Sequence, residues 1–174
     1  MKSIVVSFFM VVAGVGFLLS LAVHFASVFG VALFPREPWF LHVGIFVVWP
    51  AAILCSNALA KDFPRDQLWR AALRGCPKPM RYGMQGLVAY TVLNFAHFLV
   101  TTERDSRSSA VMIRGFSGHW LVFYYAAFAI LFSYLQVQKQ DLTRRCRNGH
   151  VVPPAAKFCA ECGSPVGDVL AGMR

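Results

Sequence analysis

Four long stretches of this chain carry almost no charge, and they set the first constraint on what it can fold into. A run of about 20 apolar residues is long enough to cross the hydrocarbon core of a bilayer. No water is present there to satisfy backbone polar groups, so an isolated run of this kind must close its hydrogen bonds as a helix. The first run extends from about Ile4 to Phe34 and is broken only by small residues, serines and His24. It exceeds the length needed to cross, which predicts tilt or protrusion at one end. It is also much longer than the apolar region of a signal peptide, about 7–15 residues. The second run covers about Trp39 to Ala60, with Pro50 in its middle. Proline removes one backbone donor, so a kink is expected there. The third covers about Met84 to Val100 and the fourth about His119 to Val137. The expected fold class is an all-α membrane protein: four transmembrane helices in a bundle, residues 1–141, with a small C-terminal metal module.

Composition agrees. Hydrophobic residues make up 57% of the 174 and charged residues only 14%, against about 45–50% and about 25% in ordinary soluble domains. The net charge of +9 admits two readings, nucleic-acid binding or a membrane protein with basic loops. The basic residues flank the apolar runs, which favours the second, and nucleic acid is not an expected partner. Of the 17 lysines and arginines, 13 fall at the N-terminus, in the loop 61–83 and in the C-terminal tail. Only Arg36, Arg104, Arg107 and Arg114 fall on the other side, which includes the loop 101–118. This bias places both termini in the cytoplasm. Trp39 and Trp120 then sit at the outer interface, and Pro35 and Pro38 make the first connection a tight turn between antiparallel neighbours. Within the middle loop, Asp66 to Arg74 can form a short surface helix. Leu68, Trp69 and Ala72 would meet lipid while Arg65, Arg70 and Arg74 reach phosphates. A plain polar connector is the alternative. Cys76, followed by Pro77, is read as incidental.

The segment "CRNGHVVPPAAKFCAECGSPV", Cys146 to Val166, has a different character. Cys146 and His150 are separated by three residues, and Cys159 and Cys162 by two. Two short ligand loops of this kind deliver four sulfur and nitrogen donors to a tetrahedral zinc ion. Gly149 and Gly163 stand where tight turns let the backbone approach a metal. About 20 residues bury too little to fold alone, so the metal must supply the folding energy. "AKFCAECGSPV" closely resembles the second knuckle of the short zinc-ribbon modules common in bacterial proteins. The first knuckle departs from it, because His150 stands where a cysteine is usual. The resemblance covers residues 144–167 and implies a ribbon over 142–167 with a tail at 168–174. The whole chain resembles bacterial multi-span membrane proteins with a C-terminal zinc ribbon, which implies the bacterial inner membrane. Reduced cytoplasmic thiols favour zinc over disulfides. With four ligands the site is closed, structural rather than catalytic. A ribbon of this kind usually displays a surface for another protein or for nucleic acid. Its Arg144, Arg145, Arg147 and Lys157 could also lean on anionic lipid.

His24, His42, His97 and His119 fall one to each apolar run. Two histidines on facing helices could hold haem, and three could hold copper or zinc as a second metal. Asn94 shares a helical face with His97, and Glu103 and Asp105 are possible further ligands. The plainer reading is a structural polar network. Ala13, Gly16, Ser20, His24 and Ser27 recur at spacings of three and four, the pattern of close helix packing. "FSGHW", Phe116 to Trp120, looks like a helix start capped by Ser117 and anchored by Trp120. No nucleophile elbow, phosphate loop, paired carboxylates or metalloprotease helix is present, and all eight acidic residues lie outside the runs. The expected function is non-enzymatic: an inner-membrane scaffold, assembly or regulatory subunit that binds a protein partner or a second copy. The alternatives are a redox or metal-handling protein using the membrane histidines, and a subunit of an oligomeric channel or transporter.

Overall fold

The computed structural model describes residues 3–34, 38–61, 63–101, 109–143, 146–152 and 156–166. These contain five α-helices and no named strand. They are α1 (Ser3–Val28), α2 (Trp39–Ala60), α3 (Leu68–Ala72), α4 (Lys78–Thr101) and α5 (Ser109–Thr143), with a 3-10 turn at Arg65–Gln67. Four of them, α1, α2, α4 and α5, are long and apolar enough to cross a membrane. Pro35, Arg36, Glu103, Arg104, Asp105, Arg107, Arg144 and Arg145 lie outside the described residues. The chain forms two compact units, Met1–Leu135 and Gln136–Arg174.

In the first unit α5 is the central helix. Over its most apolar window 61% of residues are buried, against 22% in α1 and 11% in α4. The other helices therefore turn most of their apolar side chains outward. Phe8, Leu18, Phe46, Leu54, Val92 and Leu93 are all at least 60% exposed. That outer surface suits a hydrocarbon surrounding.

The inward face of α1 is Val6, Ala13, Gly16, Ser20, Val23, His24 and Ser27, so the small-residue stripe does face protein. Its purpose is close approach. The Tyr124 ring of α5 lies against Gly16, where a methyl group would overlap it. The Tyr124 hydroxyl continues to α2, packs on Gly44 and donates to the Leu41 carbonyl at 2.8 Å. One tyrosine thus joins three helices, and two glycines make the room. From α4, Thr91 donates to the Gly118 carbonyl at 3.0 Å and Asn94 to the Arg114 carbonyl at 2.8 Å. Phe98 packs on Phe116 and over Gly115.

Several boundaries differ from the sequence reading. α1 stops at Val28 because Gly30 turns to φ +76°, and Val31 closes the end by donating to the Ala26 carbonyl at 2.9 Å. α5 begins near Ser109 rather than His119. Ser117 is therefore inside the helix and buried, not its cap, and Trp120 is only 6% exposed. In the middle loop Leu68 and Trp69 are exposed as expected, but Ala72 is buried beside Ala71, and α3 packs on α2. Arg74 lies over the Phe63 ring, 5.4 Å from its centroid. Arg81 closes the loop by donating to the carbonyls of Cys76 and Arg74, both at 2.9 Å.

Candidate metal centre

The second unit holds the clearest site. Within each ligand loop a backbone turn presents the donors. Gly149 donates to the Cys146 carbonyl and Cys146 to the His150 carbonyl, both at 2.9 Å. The second loop repeats the device: Gly163 donates to the Cys159 carbonyl and Cys159 to the Ser164 carbonyl, both at 2.9 Å. Gly149 at φ +84° and Gly163 at φ +68° take the left-handed conformation that lets each chain turn back, which a side chain would strain. An antiparallel bridge pairs Phe158 with Pro165. Cys146, Val152 and Cys159 are buried together, with Ala156, Cys162 and Val166 packed on them.

These turns bring Cys146, His150, Cys159 and Cys162 to one point. Their ligand atoms all lie within 4.8 Å of one another, an arrangement that could hold a metal ion. Cys146 Sγ is 3.7 Å from both His150 Nδ1 and Cys162 Sγ, and Cys159 Sγ is 3.7 Å from His150 Nδ1. Separations of 3.7 Å lie within the range of hydrogen bonds to sulfur, and they also match the edges of a ligand tetrahedron. Around a tetrahedral zinc ion, bonds of about 2.3 Å to sulfur and about 2.0 Å to nitrogen would set ligand edges at roughly 3.5–3.8 Å.

The surroundings fit the same chemistry. With Nδ1 turned to the cluster, His150 Nε2 faces a carboxylate oxygen of Glu161 at 3.5 Å, the kind of partner that fixes a ligating imidazole. The Ser164 hydroxyl sits 2.9 Å from Cys162 Sγ and pulls that thiol down to about 5, favouring the thiolate a metal needs. Glu161 and Ser164 were not among the residues singled out from sequence. The available signal was their place inside the second knuckle, flanking Cys162.

The four histidines of the first unit separate into different environments. His24 is buried, with Nδ1 2.6 Å from the Ser117 hydroxyl and Nε2 2.5 Å from the Tyr90 hydroxyl, so it ties α1 to α4 and α5. His97 is exposed. His42 and His119 meet: Nδ1 of one is 3.2 Å from Nε2 of the other, across α2 and α5. Among the described residues no three of these histidines come close enough to share an ion. Cys76 is buried and donates to the Ala129 carbonyl at 3.2 Å. Burial pushes its thiol up to about 11, so it is an unreactive packing residue.

Compared with known proteins, the chain matches no family model, no curated protein and no solved structure. The candidate metal centre rests on the geometry of its four side chains.

Proposed function

We propose that this chain is a membrane scaffold or regulatory subunit whose C-terminal zinc ribbon docks a cytoplasmic protein. The observation that carries the reading is the four-donor cluster of Cys146, His150, Cys159 and Cys162. Three cysteines and one histidine are a zinc donor set, and four protein ligands leave no position for a substrate. Such an ion folds a module rather than performing a reaction. The module also presents apolar side chains that its own small core does not use: Phe158 is 63% exposed and Val151 58%. Exposed aromatic anchors of this kind are where binding energy concentrates in protein interfaces.

The four apolar helices anchor the module to a membrane. The lysine and arginine bias supports cytoplasmic termini, and the resemblance to bacterial zinc ribbons supports the bacterial inner membrane. Exposed Arg147 and Lys157 give the ribbon a basic side that suits anionic headgroups.

Affinity capture from gently solubilised membranes tests this. The intact chain is expected to recover a protein that is lost with Phe158→Ser and with Cys159→Ser. If the recovered set is the same for all three, the docking role is wrong.

A further inference from the structure

The His42–His119 pair does more than the ribbon reading uses. We propose that these two imidazoles, with the thioether of Met112, form a second metal site in the helical unit, selective for a soft monovalent cation, copper(I).

The pair lies in a pocket of about 400 Å³ that Met112 also lines. The nitrogens are 3.2 Å apart. Two metal–nitrogen bonds of about 2.0 Å spanning that separation meet at roughly 105°. A bent pair leaves one side of the ion open to a third ligand, and among the described lining residues Met112 is the remaining metal-binding side chain. The same separation argues against haem. Trans ligands on one iron stand roughly 4 Å apart with the macrocycle between them, whereas these rings meet edge to face with centroids 5.3 Å apart.

Charge selects the ion. Imidazole and thioether are uncharged donors, and among the described residues no carboxylate lines the pocket. Its other walls are Trp39, Ile113, Phe116 and Trp120, and the pair is half-buried. A divalent ion would bring two charges into surroundings where the described lining offers no anionic ligand, which is costly. Copper(I) brings one charge and prefers imidazole and thioether donors. Trp39 and Trp120 flank the histidines, with ring centroids 5.8 Å from His42 and 5.4 Å from His119, and indole rings favour a nearby cation.

The test uses the full-length protein in detergent, loaded with zinc and kept reduced. Copper(I) is titrated against a chromogenic chelator, zinc retention is measured in the same samples, and X-ray absorption reports the copper ligands. Expected is one copper per chain, zinc retained, and a first shell of nitrogen with one sulfur. His42→Gln with His119→Gln should abolish uptake. Met112→Leu conserves volume and leaves the histidines in place; it should remove the sulfur and weaken binding by about tenfold or more. Should the histidine variant fail to fold, Met112→Leu and the native ligand shell still decide. Copper bound by sulfur alone with zinc expelled, uptake unchanged in the variants, or no uptake at all would each overturn the proposal. In the last case the pair is an imidazole–imidazole hydrogen bond.

Discussion

At the scale of single residues, the packing of the helical unit turns on Tyr124. Its ring fills the space that Gly16 leaves and its hydroxyl reaches the Leu41 carbonyl past Gly44. Gly16→Ala should displace the ring and cost about 1–3 kcal/mol, the usual range for overpacking. Tyr124→Phe keeps the ring and removes one hydrogen bond, so it should cost only about 1 kcal/mol. Thermal unfolding in detergent ranks the two; equal losses would mean that the ring contact is not what holds α1. The glycine was legible in the sequence as part of a small-residue stripe. Its tyrosine partner was not, because 108 positions separate residues 16 and 124 and only packing selects which aromatic side chain fills the gap.

Among the elements, apolar length was a good guide to where helices lie and a poor guide to where they end. α4 starts at Lys78 and α5 near Ser109, both earlier than their apolar runs suggested. Polar residues continue a helix when its backbone bonds and neighbours allow it. Ser117 shows how: it donates back to the Arg114 carbonyl at 3.3 Å and meets His24, rather than capping the helix. The C-terminal module obeys a different rule, since its knuckles were readable residue by residue from local spacing. Its stability should depend on the ion, because thiolate and imidazole ligands bind metal only when deprotonated. Acidification from neutral pH should therefore release zinc, with loss substantially complete below about pH 4–5. A chromogenic zinc indicator follows the release. Retention of zinc at that pH would mean that the ion sits elsewhere.

For the whole molecule, the decisive division is between the two compact units, Met1–Leu135 and Gln136–Arg174. Metal analysis of protein purified without added metal, for the intact chain and for one ending at Asp141, separates their contributions. One zinc in the intact chain and none in the shortened one is the expected result. Zinc retained after the shortening would move the metal to the histidines of the helical unit and remove the basis for the ribbon. The sequence by itself determined the four apolar helices and the four-donor cluster. Both are local: a helix closes its hydrogen bonds within one run, and a knuckle places its ligands within a few residues. Only the tertiary structure decided that His42 meets His119, that His24 is held by Ser117 and Tyr90, and that α5 stands at the centre. Those outcomes depend on how helices rotate and rise against one another. That is fixed by side-chain fit between distant parts of the chain.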